Sequence, residues 1–415
     1  MVEWNGYLVF ILAILIGNYI LTLIVENLNI KRLSPALPDE FEGHYDAEKY
    51  SKSQNYTRVT TKFGNITGTF DLVLIIVFIL IGGFNWLDNV ARGFGFGEIV
   101  SGLIFAGLLI IGTQIVSIPF SIYSTFVIEE KFGFNRTTAK TFVLDLLKGL
   151  LISVILSALV LWLILWFFGE MGAYAWLYVW GAMIIFQVLM LYISPVLILP
   201  LFNKFTPLED GELKETIVNY MQKNRFKLKG LFTIDGSKRS SKANAYFTGF
   251  GKLKRVALYD TLIEKFEVRE ILTVLAHEVG HSKLKHIPKR IFSGILQMGL
   301  MLFLLSLFIK NEGLHAAFGM ENVSIYASLI FFSFIYSPVS MVLGLISTIS
   351  SRKHEYEADA FAGKTTGDPD SMIGALKKLS VTNLSNLTPH PLKVFLEYDH
   401  PPVLARIKAI RKLER

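Results

Sequence analysis

Apolar residues along this chain gather into seven runs long enough to cross the roughly 30 Å hydrocarbon core of a bilayer. They are Tyr7 to Val25, Phe70 to Leu87, Ile99 to Phe120, Leu146 to Phe168, Ala175 to Leu201, Ile291 to Ile309 and Ile325 to Ile349. Inside lipid a backbone can bond only to itself, so each run predicts a helix. The first run follows Glu3 rather than a basic segment, and no small-residue cleavage site comes after it, so it reads as a span and not as a signal peptide. Two polar stretches remain, 202–290 and 350–415, together about 155 residues, enough for one modest core. The expected division is 1–201 for spans one to five with their loops, 202–290 for a first polar segment, 291–349 for spans six and seven, and 350–415 for a second polar segment. Two spans separate the polar segments, an even number, so both emerge on the same membrane face and can build one domain.

Within the first polar segment, Asn244 to Thr248 reads as a strand, Gly249-Phe250-Gly251 as a turn and Val256 to Tyr259 as a second strand, a hairpin pattern. From Glu267 to Lys285 the chain has no proline, and Ile271, Leu272, Val274, Leu275 and Val279 recur at helical spacing. Pro288 ends that run. Ser351 to Ala360, directly after span seven, is also compatible with a helix.

Composition agrees with the pattern: 52% of residues are hydrophobic, 18% are charged, and the mean hydropathy is +0.47. Lysine and arginine concentrate after span one (Lys31, Arg32, Lys49, Lys52, Arg58, Lys62) and after span three (Lys131, Arg136, Lys140). They are nearly absent after spans two, four and six. Basic loops stay in the cytoplasm, which puts the amino terminus outside or in a lumen and both polar segments and the carboxy terminus in the cytoplasm. The net charge of +7 is mostly this bias; no interleaving of aromatic and basic residues points to a nucleic-acid partner. Cysteine is absent, which excludes disulfides, thiolate metal sites and a cysteine nucleophile. Internal repeats and low-complexity tracts are not apparent.

Candidate chemistry starts at His277-Glu278-Val279-Gly280-His281. Histidines four apart share a helix face and can grip one metal ion, and the glutamate about 100° away can take a proton from water that the metal activates. A chance occurrence on a charged helix is the plain alternative. A catalytic zinc needs a third protein ligand, and the parity of the spans brings Ser351 to Ala360 to the same face. Glu355 can ligate, with Glu357 as a competitor on another face, and Asp359 can orient a ligating histidine by accepting its far N–H. The plain alternative there is a charged helix start at the membrane surface.

These features resemble the type 1 CAAX prenyl proteases, integral membrane zinc peptidases with seven spans and HExxH followed by a distant glutamate. The likeness rests on that motif, on Glu130 to Asn135, Leu201 to Leu208 and Ser241 to Phe247, on the Glu355 run, and on His400-Pro401-Pro402 with Arg406. It covers nearly the whole chain in order. It implies one Zn2+ per chain held by His277, His281 and Glu355, Glu278 as general base and Asp359 behind the ligands, and it selects Glu355 over Glu357. Where many members have glutamine, this chain has Glu357. The fold implied is a zincin-like α+β catalytic domain beside spans that enclose an intramembrane chamber. The hairpin then gains a use, an edge on which an extended substrate adds itself as a strand, with Asn244, Ala245 and Tyr246 in contact. His400 donates to the oxyanion. Arg406 contacts substrate or holds the local fold.

His281 lies ten residues before Ile291 and Glu355 six after Ile349, so at 1.5 Å per residue the ligands sit roughly 10 to 15 Å from the span ends. The expected substrate is therefore a membrane-associated peptide or protein cut near its carboxy terminus, prenylated CAAX sequences among them, in contact with membrane lipid. A broader quality-control protease would use the same machinery. A bacterial chain would sit in the inner membrane and a eukaryotic one in the endoplasmic reticulum. Rivals from other classes are a metal transporter, opposed by ligands that flank the spans while Gln114, Gln187 and Gln297 form no relay, and a catalytically silent zinc scaffold. His44, His286, His315, His354 and His390 are read as surface or structural groups.

Overall fold

The computed structural model describes residues 1–248 and 254–413. Asn5 opens α1 (Gly6–Lys31) by accepting from the Tyr7 and Leu8 amides. Asp46 opens α2 (Ala47–Leu80), a 34-residue helix about 51 Å long whose first half is polar. The expected second span, Phe70 to Leu87, stops instead at Leu80. Gly82 takes φ +73°, a conformation that favours glycine, and α3 (Gly83–Gly93) turns aside as an amphipathic helix. Its Phe84 and Leu87 pack with Phe318 and Phe331 rather than facing lipid. The basic residues Lys49 to Lys62 lie on the polar half of α2 and not in a loop.

Helix α4 (Glu98–Tyr123) passes through Pro119 and widens into a π-helical turn over Ser124–Glu129. Next come α5 (Ala139–Glu170), α6 (Ala175–Ile193) and, after a second π-helical turn at Ser194–Ile198, the short α7 (Leu199–Phe202). Both widened turns follow or contain a proline, whose missing N–H breaks the regular ladder.

The polar segment then lays down β1 (Phe205–Pro207), α8 (Glu212–Lys223), β2 (Gly230–Ile234), β3 (Ala245–Thr248) and β4 (Arg255–Tyr259). They form one sheet in the order β1-β2-β4-β3. β4 is interior, and its Val256, Ala257 and Leu258 are all fully buried. β3 is an edge, antiparallel to β4 with Ala245 opposite Leu258 and Phe247 opposite Val256. The predicted strand pair is present; its turn, Gly249-Phe250-Gly251, lies outside the described residues.

After α9 (Asp260–Lys265), α10 (Val268–Lys283) starts in a capping box between Glu267 and Glu270. It ends before Lys285, whose φ of +59° turns the chain into α11 (His286–Ser306). The proline-free run is thus one helix only as far as Lys283. Past α12 (Glu312–Ala317), the 42-residue α13 (Ile325–Thr366) carries span seven and the Glu355 run as one rod about 63 Å long, twice what the bilayer core needs. Helices α14 (Pro369–Thr382), α15 (Pro391–Glu397) and α16 (Val403–Arg411) complete the chain. Among the described residues, seven helical stretches are long and apolar enough to span a membrane.

The core of the polar domain draws on more than the two predicted segments. Phe41 and Tyr45, from the connection between α1 and α2, and Tyr50, from the first turn of α2, are buried with Ile217, Leu258, Leu275, Met372 and Ile410. Phe132 and Phe134, after α4, pack on Leu384 and Tyr56. Arg239 fastens the domain to the spans by gripping Asp145 of α5 at 2.7 and 2.8 Å and the Phe202 carbonyl at 2.7 Å.

Candidate metal centre

Two helices make the site. Ile271, Leu275 and Val279 bury one face of α10 in the core, and the turns they anchor aim His277 and His281 toward α13. The helices approach closely because position 280 is glycine: a Cβ there would stand 3.2 Å from the Ala358 Cα and from Phe361. That approach brings Glu355 of α13 between the histidines.

Three potential ligand side chains converge. His277 Nε2 is 3.1 Å from His281 Nε2, Glu355 Oε2 is 3.4 Å from His277 Nε2, and Glu355 Oε1 is 3.2 Å from His281 Nε2. Donors around a tetrahedral ion at 2.0–2.2 Å would stand about 3.3 Å apart, so the spacing fits a small divalent ion. Two further observations agree. Glu355 Oε2 is buried with no hydrogen-bond partner among the described residues, a costly state that a cation would relieve. Glu355 and Asp359 face one guanidinium, Arg406, leaving an excess of one negative charge in a buried cage. Two imidazoles and a carboxylate suit a borderline metal such as zinc.

Asp359 sits one turn beyond Glu355, with Oδ1 2.7 Å from His277 Nδ1. Arg406, from α16, donates to that carboxylate through Nε at 2.8 Å and Nη2 at 2.7 Å and lies 3.7 Å from Glu355. Sequence left Arg406 between substrate and fold; its buried guanidinium is committed to carboxylates behind the ligands. Burial disfavours a charged His277, but the hydrogen bond to Asp359 and the adjacent Glu355 carboxylate outweigh burial and the opposing Arg406 charge, raising its pKa to about 9. The cage is built to hold a positive charge.

Glu278 is half-buried and makes no hydrogen bond or ion pair among the described residues. His400 stands on the open side, 56% exposed, with Nε2 3.4 Å from Glu355 Oε1 and Nδ1 2.8 Å from Asp399. Asn244, Ala245 and Tyr246 lie at the start of the edge strand β3, and none bonds to the histidine cluster. That strand is clamped in place: Asn383 bonds both the amide and the carbonyl of Ala243, at 3.0 and 3.2 Å, and Lys242 pairs with Glu129 at 3.0 Å.

Sequence reasoning missed His286 and His354. His286 is buried against His281, and His354 stacks on it. The five-residue step from His281 to His286 fits no helical face, because the break at Lys285 intervenes; only tertiary structure joins them.

Comparison with known proteins gives a uniform result. Residues 26–204 match the model described as CAAX prenyl protease N-terminal, five membrane helices, and residues 207–414 match Peptidase family M48. The CAAX prenyl protease 1 homolog of Oryza sativa subsp. japonica is 36% identical over 413 residues, 97% of each chain. The CAAX prenyl protease 1 of Saccharomyces cerevisiae is 33% identical, over 93% of this chain and 90% of the yeast protein. The crystal structure of S. mikatae Ste24p superposes with a TM-score of 0.92 at 34% identity, covering 98% of this chain and 99% of that one.

Proposed function

The chain belongs to peptidase family M48 and is an integral, multi-pass membrane metalloprotease; from that premise we propose that it is a zinc endopeptidase of the CAAX type, with His277, His281 and Glu355 holding the ion. Membership of a peptidase family sets aside the transporter and silent-scaffold readings. The observation that carries the ligand assignment is the convergence of the three donors, with Glu355 Oε2 buried and without a hydrogen bond among the described residues.

When bound, zinc supplies a Lewis acid that polarises the scissile carbonyl and lowers the pKa of water from 15.7 toward about 7. The chain's own residues do the rest. Glu278, unengaged and next to His277, accepts the proton of the attacking water and hands it to the leaving amine, so no acyl-enzyme is needed. His400 is the polar group for the oxygen on which negative charge develops. Asp359 fixes the His277 tautomer and Arg406 holds Asp359. The free edge of β3, beginning at Asn244, Ala245 and Tyr246, pairs with an extended substrate backbone.

Glu355 follows the apolar part of its own membrane helix by about 9 Å, which favours a substrate tethered to the bilayer. The relatives' names point to a carboxy-terminal CAAX sequence, prenylated before cleavage, and the distribution of basic residues favours a cytoplasmic site.

The test is purified full-length protein with matched farnesylated and unmodified CAAX peptides, with and without chelator, beside Glu278→Gln. The expected result is chelator-sensitive cleavage of the farnesylated peptide. Glu278→Gln should keep the zinc and the fold while losing about 10²- to 10⁴-fold in turnover. Retained turnover would sink the role of Glu278, and equal cleavage of both peptides would favour a broader protease.

A further inference from the structure

Behind His281 three side chains meet that the mechanism above does not use: His286, His354 and Glu357. His286 opens α11 and is only 1% exposed. Its Nδ1 lies 3.1 Å from His281 Nδ1, and its Nε2 lies 2.9 Å from Glu357 Oε2. The His354 ring stacks on it, centroids 4.1 Å apart and planes 14° apart. Lys353 stands 3.9 Å from the other Glu357 oxygen, on the exposed side.

We propose that Glu357 and His286 form a directed hydrogen-bond relay that sets the tautomer of His281, making both positioning residues for the metal. This rests on the metal reading above. A neutral imidazole carries one N–H, and a carboxylate can only accept. Glu357 therefore draws the His286 hydrogen to Nε2, which leaves His286 Nδ1 as an acceptor. The contact between the two Nδ1 atoms then needs a hydrogen from His281. With its hydrogen on Nδ1, His281 presents a bare Nε2 toward His277 and Glu355, as a ligand must. Asp359 achieves the same for His277 in one step; here the instruction passes through a second ring. His354, stacked on that ring, fixes its plane.

A second metal ion at this cluster is the competing idea, and geometry opposes it. Nearly parallel stacked rings hold their in-plane lone pairs in two separate, almost parallel planes, so no single ion lies in line with both. A metal on His286 Nε2 would also move that hydrogen to Nδ1 and reverse the chain. His281 would then carry its hydrogen on Nε2, where the lone pair is needed.

The test measures zinc affinity of the full-length protein by chelator competition, zinc stoichiometry, and the thermal midpoint of each variant. Glu357→Gln keeps an acceptor and should stay within about threefold of the parent. Glu357→Ala should weaken zinc about tenfold, and Glu357→Lys, which puts a donor where an acceptor is required, toward a hundredfold. Thermal midpoints of the zinc-free proteins should change little, because Glu357 is 39% exposed. Equal affinity in all four overturns the relay, and so does a loss in Glu357→Gln as large as in Glu357→Ala, which would mean that charge and not acceptance matters. Two zinc ions per parent chain, falling to one in His354→Phe, would make the cluster an ion site and overturn it too. No zinc in the parent defeats the metal reading itself; zinc in the parent with unaffected variants defeats only the relay.

Discussion

The two histidines of the metal centre are backed in opposite ways. Behind His277 stands a buried carboxylate, Asp359, which a buried guanidinium, Arg406, holds by two bonds. Behind His281 stands a neutral ring, His286, whose carboxylate partner Glu357 reaches solvent. The difference follows from depth. A charge out of water must have a partner of opposite charge, so the His277 side needs Arg406 from the far end of the chain. On the His281 side water solvates the carboxylate, and an uncharged intermediary suffices.

If that contrast is right, Asp359→Ala is the most damaging single change. It leaves the buried Arg406 with only its 3.7 Å approach to Glu355 and should cost about 3 kcal/mol of stability, with zinc weakened 10- to 100-fold by the lost support of His277. Thermal unfolding together with chelator competition measures both, and an effect no larger than that of Glu357→Ala would break the comparison. Arg406→Lys keeps the charge but loses the fork, and should cost about 1.5–3 kcal/mol; the zinc-free thermal midpoint should fall, whereas Glu357→Ala leaves it nearly in place.

Gly280→Ala acts on both sides together, since it presses α10 against Ala358. Overpacking of about 1–3 kcal/mol is set against a gain in helix propensity of about 1 kcal/mol, so a net loss up to about 2 kcal/mol is expected. A clear gain in thermal midpoint would mean that the helices have room to part.

Smallest of all is the effect of the ion-pair cluster of Glu40 with Lys377 and Arg411. Burial raises the pKa of Glu40, but hydrogen bonds from Lys377 and Arg411 outweigh this and hold it below its ordinary value of 4.5. A depressed carboxylate contributes stability above its unfolded pKa and loses it as pH falls through the folded one. The stability advantage over Glu40→Gln should therefore be present at pH 7, under about 1 kcal/mol, and fade below about pH 4.5. An advantage that grew on acidification would contradict the assignment.

Much of the architecture was legible because lipid imposes a simple rule. Runs of some twenty apolar residues must be helices, and six of the seven predicted runs lie largely within the observed membrane helices. The exception is instructive: Phe70 to Leu87 reads as one run by hydropathy, yet the chain turns at Gly82, and Phe84 packs edge-on against Phe318 and Phe331. Phe41, Tyr45 and Tyr50 escaped notice for a related reason, since scattered aromatics in a polar connection and the polar start of α2 carry no periodicity from which a shared core could be read.

Within the candidate site, the motif spacing singled out His277, Glu278 and His281 on one helix, while on the other helix spacing left Glu355 beside Glu357 and only the family resemblance favoured Glu355 with Asp359; the structure brings His277, His281 and Glu355 together. Sequence alone thus determined the number of candidate spans, the helix that presents the histidines and that both polar segments share one domain, because periodicity and length are local properties. Tertiary structure decided the rest. Arg406 found Asp359 across 47 residues, His286 found His281 across a helix break, and Glu357 went to His286 rather than to the metal. Such pairings depend on where α10, α11, α13 and α16 meet, and how closely helices meet is set by the packing of the whole core.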